Sequence, residues 1–113
     1  LPLTDETKYM VNAQRIASMK KTAIVVNTAR GPLIDTTALA AALEGEEIAA
    51  AGVDVFEDEP LPHDHPLRTA KHALLTSHVA WYSESSIPRL QQLAVEEVVR
   101  GLQGEDLKNQ VNK

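Results

Sequence analysis

The sequence predicts an α/β fold of parallel strands with flanking helices, and three observations carry that reading. Strand–helix–strand alternation runs along the chain, and the helical segments are rich in alanine, which argues for a parallel sheet. Three stretches, residues 25–31, 53–60 and 74–81, share one pattern: an apolar run that ends by presenting a charged or titratable residue. The length, 113 residues, suits one domain with a modest core.

Taken in order, Thr4 suits a helix N-cap, and Asp5 and Glu6 suit the positive end of a helix dipole. A short helix is therefore predicted over residues 5–10. Asn12 reads as a second N-cap, with Ile16 and Met19 on one face and Lys20 and Lys21 at the C-terminal end. Residues 22–29 are a β-branched run bounded by polar residues, hence a buried strand, which Gly31-Pro32 interrupts.

Asp35 caps a helix through residues 38–43, where Leu39 and Leu43 stand at i and i+4, and Gly45 ends it. Residues 48–56 give the next strand, and 57–68 a long polar loop containing Pro60, Pro62 and Pro66. Another strand is expected over residues 73–76. The last helix starts near Ser85 or Ser86, tolerates Pro88 in its first turn, and spaces Ile87, Leu90, Leu93, Ala94, Val98 and Leu102 on one face. Three strands are few for a doubly wound domain. Together with a start at Leu1-Pro2-Leu3-Thr4, they suggest a piece of a longer protein.

Composition narrows the function. The chain is 43% hydrophobic and 24% charged, as soluble globular proteins are, with net charge −5. Its eleven Lys and Arg residues are scattered without interleaved aromatics, which argues against nucleic-acid binding. Cysteine is absent, so disulfides and thiolate metal sites are excluded; this fits a reducing, cytoplasmic setting. No apolar run approaches the roughly 20 residues a membrane helix requires, and no signal peptide is evident.

In a parallel sheet, ligands bind at the carboxyl ends of strands. Arg30, Asp54 with Glu59, and His78 are therefore expected on one rim, where they could hold an anion and move a proton. Each residue also has a plainer reading. Arg30 alone is an ordinary strand-end arginine, although its guanidinium fork suits a carboxylate. Asp54 lies in an apolar run and needs donors, from either its own fold or a ligand. Glu59 sits among Glu57, Asp58 and Pro60 and reads as solvated, unless a histidine stands beside it. His78 could be structural. His63, His65 and His72 look solvent-exposed, and His63 with His65 lacks a sensible third ligand, so no metal is expected. Trp81, the only tryptophan, is a core ring or a pocket wall.

Taken together, Asn27-Thr28-Ala29-Arg30-Gly31, Asp54-Val55-Phe56 with Glu59-Pro60, and His78 after an apolar strand resemble the D-isomer-specific 2-hydroxyacid dehydrogenases. The likeness covers nearly the whole chain. Residues 78–84 and 107–113 are most similar to the branch containing the C-terminal-binding proteins, which act as transcriptional corepressors in animals. The resemblance implies the C-terminal half of a Rossmann-type NAD(P)-binding domain. Residues 1–104 would form its second half, and 105–113 a tail returning towards an absent substrate domain. No G-x-G-x-x-G occurs, so the main pyrophosphate site would be missing and this piece alone inactive.

By the same resemblance Arg30 would bind a 2-oxo acid's carboxylate and carbonyl. His78 would be the acid–base group, and Glu59 would keep it protonated. Asp54 would accept a hydrogen bond from the nicotinamide carboxamide. Leu1, Pro2, Leu3, Thr4, Thr7, Thr28, Ala29 and Arg30 would line the cofactor, NAD or alternatively NADP. His78, Ala80 and Trp81 would run along the nicotinamide side, and Trp81 would limit the substrate's side chain. Ser77 departs from the proline that many relatives carry before the histidine. The implied protein is a homodimeric oxidoreductase of small 2-hydroxy and 2-oxo acids; the rival is a dinucleotide-sensing corepressor.

Overall fold

Short β-branched and alanine-rich runs form a three-stranded parallel sheet in the computed structural model, which describes residues 1–112. The strands are β1 (Ile24–Asn27), β2 (Ala50–Val53) and β3 (Ala73–Leu75), in spatial order β1-β2-β3. Asn27 pairs with Val53, and Val53 with Leu75, so all three carboxyl ends are level. The helices are α1 (Ala13–Ala17), α2 (Thr36–Glu44) and α3 (Ser86–Gln103). Two compact units result, Leu1–Ala80 and the remainder from Trp81.

In the first unit the core lies on one face of the sheet. Val25, Ala51 and Val53 meet Ile16 of α1, Leu39 and Leu43 of α2, and Leu67. Leu39 and Leu67 are 0% exposed. The opposite face is open, with Ile24, Val26 and Leu74 each about 70% exposed. Residues 22–29 are thus not a buried strand. Only four of them form β1, and burial alternates along it because a strand turns successive side chains to opposite faces. The strand expected over 48–56 is likewise shorter, because Asp54 leaves the ladder after one more bond, its N–H donating to Asn27 O at 2.9 Å.

Two of the three predicted N-caps, Asn12 and Asp35, form on helices. Asn12 Oδ1 accepts from the Arg15 N–H at 3.1 Å, and Asp35 Oδ1 from Ala38 N–H at 2.9 Å. Gly45 is the C-cap of α2, but the left-handed residue is Glu46, at φ 53°. The helix expected over residues 5–10 is absent. One turn closes, Lys8 N–H donating to Thr4 O at 2.9 Å, then Tyr9 turns to φ 50° and donates its N–H to Pro32 O at 2.7 Å. That N–H is lost to helix propagation, and so short a segment cannot nucleate alone. Val11 N–H continues the pairing to Leu33 O at 3.1 Å.

The 57–68 loop corrects two further expectations. Glu57 is not solvated: its carboxylate accepts from the Thr36 N–H at 3.0 Å and the Thr36 hydroxyl at 2.6 Å, at the N-terminus of α2. His65 is half-buried, with Nδ1 accepting from Leu67 N–H at 3.2 Å and Nε2 at 3.1 Å from Thr36 Oγ1. His63 and His72 are exposed, as expected.

In the second unit, α3 starts after Ser85, carries Pro88 in its first turn and ends at Gly104, at φ 71°. Its spaced apolar residues are not buried; Leu90 is 59% and Leu102 84% exposed. The tail folds back, Lys108 N–H donating to the Glu97 carboxylate at 3.1 Å. No helix among the described residues is long and apolar enough to cross a membrane.

Candidate active site

The level strand ends bring the turns after β1, β2 and β3 to one edge. Asp54, 3% exposed, organises the turn after β3. Its carbonyl accepts the His78 N–H at 2.8 Å, its Oδ1 the Val79 N–H at 2.9 Å, and its Oδ2 the Ala80 N–H at 2.9 Å. The Thr76 hydroxyl also donates to Oδ1, at 2.5 Å. Three consecutive N–H groups thus converge on one residue. This arrangement holds His78 at φ 57°, a left-handed conformation costing roughly 1–2 kcal/mol outside glycine. Burial pushes the Asp54 carboxyl up, but the bonds from Thr76, Ala80 and Val79 and the charge of His78 outweigh it. The net result lies below the usual carboxylate range.

The His78 ring meets Glu59, with Nδ1 and Oε2 2.8 Å apart. Glu59 is itself fixed, since its Oε1 accepts the Phe56 N–H at 3.0 Å. The bond to His78, then that from Phe56, hold its carboxyl below the usual value against some desolvation. Glu59 is therefore not a free acidic-loop residue.

Arg30 reaches the same edge through its backbone. Buried Asn27 accepts the Ala29 N–H at 3.1 Å on Oδ1 and donates from Nδ2 to Arg30 O at 2.9 Å, which shapes the turn. Gly31 then passes against the chain after β2 so closely that a Cβ would lie 1.9 Å from the Phe56 carbonyl carbon and oxygen. The Arg30 side chain is exposed, its Nη1 donating to Ala29 O at 2.7 Å.

An open cleft of about 600 Å³ lies beside the pair, lined by Glu59, His78, Phe56, Leu61, Leu75 and Arg68. Arg68 is a cation that sequence reasoning passed over. Its Nε donates to Pro62 O at 2.7 Å and its Nη2 to Leu61 O, and nothing in a polar loop distinguished it. Asn27 and Gly31 had a signal, lying inside the recognised motif. Thr4 and Thr7 bond each other in an exposed turn, Thr4 N–H donating to Thr7 Oγ1 at 2.8 Å. Thr28 and Leu1 to Leu3 are exposed as well. Trp81 opens the second unit, edge-on to Tyr82 at 5.9 Å, in a shallow groove with Arg89, Leu90 and Leu93. Among the described residues no group of His, Asp and Glu could hold a metal ion.

A hydrogen-bonded imidazole–carboxylate pair at the carboxyl edge of a parallel sheet has the character of an acid–base site in a nucleotide-binding enzyme domain. Residues 1–80 match the family described as D-isomer specific 2-hydroxyacid dehydrogenase, NAD binding domain. The chain is 44% identical over 112 residues to glyoxylate/hydroxypyruvate reductase B of Cronobacter sakazakii, covering 99% of this chain and 35% of that protein. Among solved structures, a D-isomer specific 2-hydroxyacid dehydrogenase from Xanthobacter autotrophicus, in complex with NADPH and MES, aligns at TM-score 0.82. It is 44% identical, covering 99% of this chain and 46% of its own. D-lactate dehydrogenase with NAD+ from Lactobacillus jensenii aligns at TM-score 0.87 and 31% identity, over 100% of this chain and 38% of its own. The chain belongs to the D-isomer-specific 2-hydroxyacid dehydrogenases and forms part of their Rossmann-type NAD-binding domain. It spans about a third of the length of the curated relatives it matches.

Proposed function

We propose that the protein carrying this chain reduces small 2-oxo acids to D-2-hydroxy acids with NADH or NADPH, with glyoxylate and hydroxypyruvate as the first substrates to try. The observation that carries the reading is the His78–Glu59 pair at 2.8 Å on the strand-end edge of a member of this family. The names of the similar reductases support the substrate choice.

The acceptor that Asp54 offers suits the nicotinamide end of the cofactor. A carboxylate offers about four lone-pair sites. Three at Asp54 are taken by Thr76, Val79 and Ala80, and the fourth, on Oδ2, suits a carboxamide N–H. Exposed Thr28 and half-buried Ala29 would flank it, with the first turn. When bound, the cofactor supplies the hydride. Glu59 orients the imidazole through Nδ1, so that Nε2 delivers a proton to the carbonyl oxygen during reduction and takes it back during oxidation. Arg30 binds the substrate carboxylate through its guanidinium fork.

The named relatives are reductases and dehydrogenases, and none of them favours the corepressor reading. The assay is steady-state NADH and NADPH oxidation by the full-length protein with glyoxylate, hydroxypyruvate and pyruvate. Turnover abolished in His78→Ala supports the proposal. Tight NADH binding without turnover favours the corepressor, and undiminished turnover in His78→Ala removes the mechanism.

A further inference from the structure

Both ends of the segment that carries Glu59 are tied to one buried hydroxyl. Thr36, 1% exposed, is the first residue of α2. Leu67 N–H donates to His65 Nδ1, so the ring proton facing Thr36 belongs to Nε2, and the imidazole donates to Thr36 Oγ1 at 3.1 Å. The Thr36 hydroxyl hydrogen then goes to Glu57 Oε2 at 2.6 Å, and the Thr36 N–H to Glu57 Oε1 at 3.0 Å. The carboxylate also sits at the positive end of α2, where charge is stabilised. Residues 57 and 65 are thereby held at one point, and the chain between them is a closed loop without regular structure. Glu59 lies two positions beyond the anchor, and its carboxylate must stay within hydrogen-bond reach of His78 Nδ1, where it stands at 2.8 Å.

We infer that Thr36 is a positioning residue for the acid–base pair: its hydroxyl, through Glu57 and His65, holds the loop that presents Glu59 to His78. The inference rests on the reductase reading above. Thr36 touches neither member of the pair, so its effect must pass through Glu59.

The test is a double-mutant cycle in the full-length protein, read by 2-oxo acid reduction. Thr36→Val removes the hydroxyl and keeps the N–H bond. It should lower kcat about tenfold or more, because displacing a reacting group by about 1 Å costs up to ~100-fold. The KM for cofactor should change little, since the Asp54 turn is untouched. Thr36→Ser should restore the rate. In a Glu59→Gln background, Thr36→Val should cost almost nothing more. Unchanged kcat in Thr36→Val, or an equal loss in both backgrounds, overturns the inference. If Thr36→Val does not fold, Glu57→Ala takes its place in the cycle with the same expectations. If the wild type has no turnover, the reductase reading fails. Crystal structures then decide the positioning claim: Glu59 within hydrogen-bond reach of His78 in the wild type and out of reach in the variant supports it, and retention in both overturns it.

Discussion

Gly31→Ala is the substitution on which the geometry makes its sharpest demand. The new methyl carbon would lie 1.9 Å from both the carbonyl carbon and the oxygen of Phe56, and 2.5 Å from Glu57 N. All three are backbone atoms, so no side chain can swing aside. Ordinary contact begins near 3.4 Å, so the turn bearing Arg30 and the chain bearing Glu59 must separate by roughly 1.5 Å, a shift at which near-attack geometry loses about 100-fold in rate. The overpacking itself costs about 1–3 kcal/mol, which leaves the core folded. The expected result in the full-length protein is a kcat/KM for 2-oxo acid reduction down about 100-fold. The transition temperature should fall by only several degrees. A Gly31→Ala protein with wild-type kcat/KM would refute the claim that the Arg30 turn and the Glu59 loop are held in a fixed relation by this approach.

Three further outcomes follow. Leu39→Ala, at a position with no exposed surface, should destabilise the protein by about 2–5 kcal/mol in urea unfolding without moving KM. Asp54 and Glu59 both have folded carboxyl values below their ordinary ones of 3.8 and 4.5. Their contribution is thus complete above the ordinary values and is lost as pH falls through the lowered ones. The urea midpoint should therefore hold from neutrality to about pH 5 and drop below about pH 4, less steeply in Glu59→Gln. Arg30→Ala should lower kcat/KM by about 100-fold or more while leaving NADH affinity, read by fluorescence titration, close to wild type.

Much of the fold is legible because its signals are local. The caps Asn12 and Asp35 bond three residues ahead, and the strand ends line up because each apolar run stops at a polar residue. What escaped depends on distant partners. Tyr9 abandons its helix for Pro32, and Glu57 meets Thr36 across 21 positions, so an acidic loop residue becomes a trans cap of α2. His65 reads as exposed because its bond to Thr36 spans 29 positions. The alternation of β1 is hidden for another reason. Ile24 and Val26 are as apolar as buried residues, yet nothing in their unit covers them. The His78–Glu59 contact was legible only through the family motif, since 19 positions separate the two residues.

The most direct test is a crystal structure of the full-length protein with cofactor and oxamate, an inert mimic of a 2-oxo acid. The expected complex has the oxamate carboxylate on the Arg30 guanidinium, its carbonyl oxygen within hydrogen-bond reach of His78 Nε2, and Glu59 still on Nδ1. Oxamate bound away from His78, or Arg30 turned to the far side of the sheet, would contradict it.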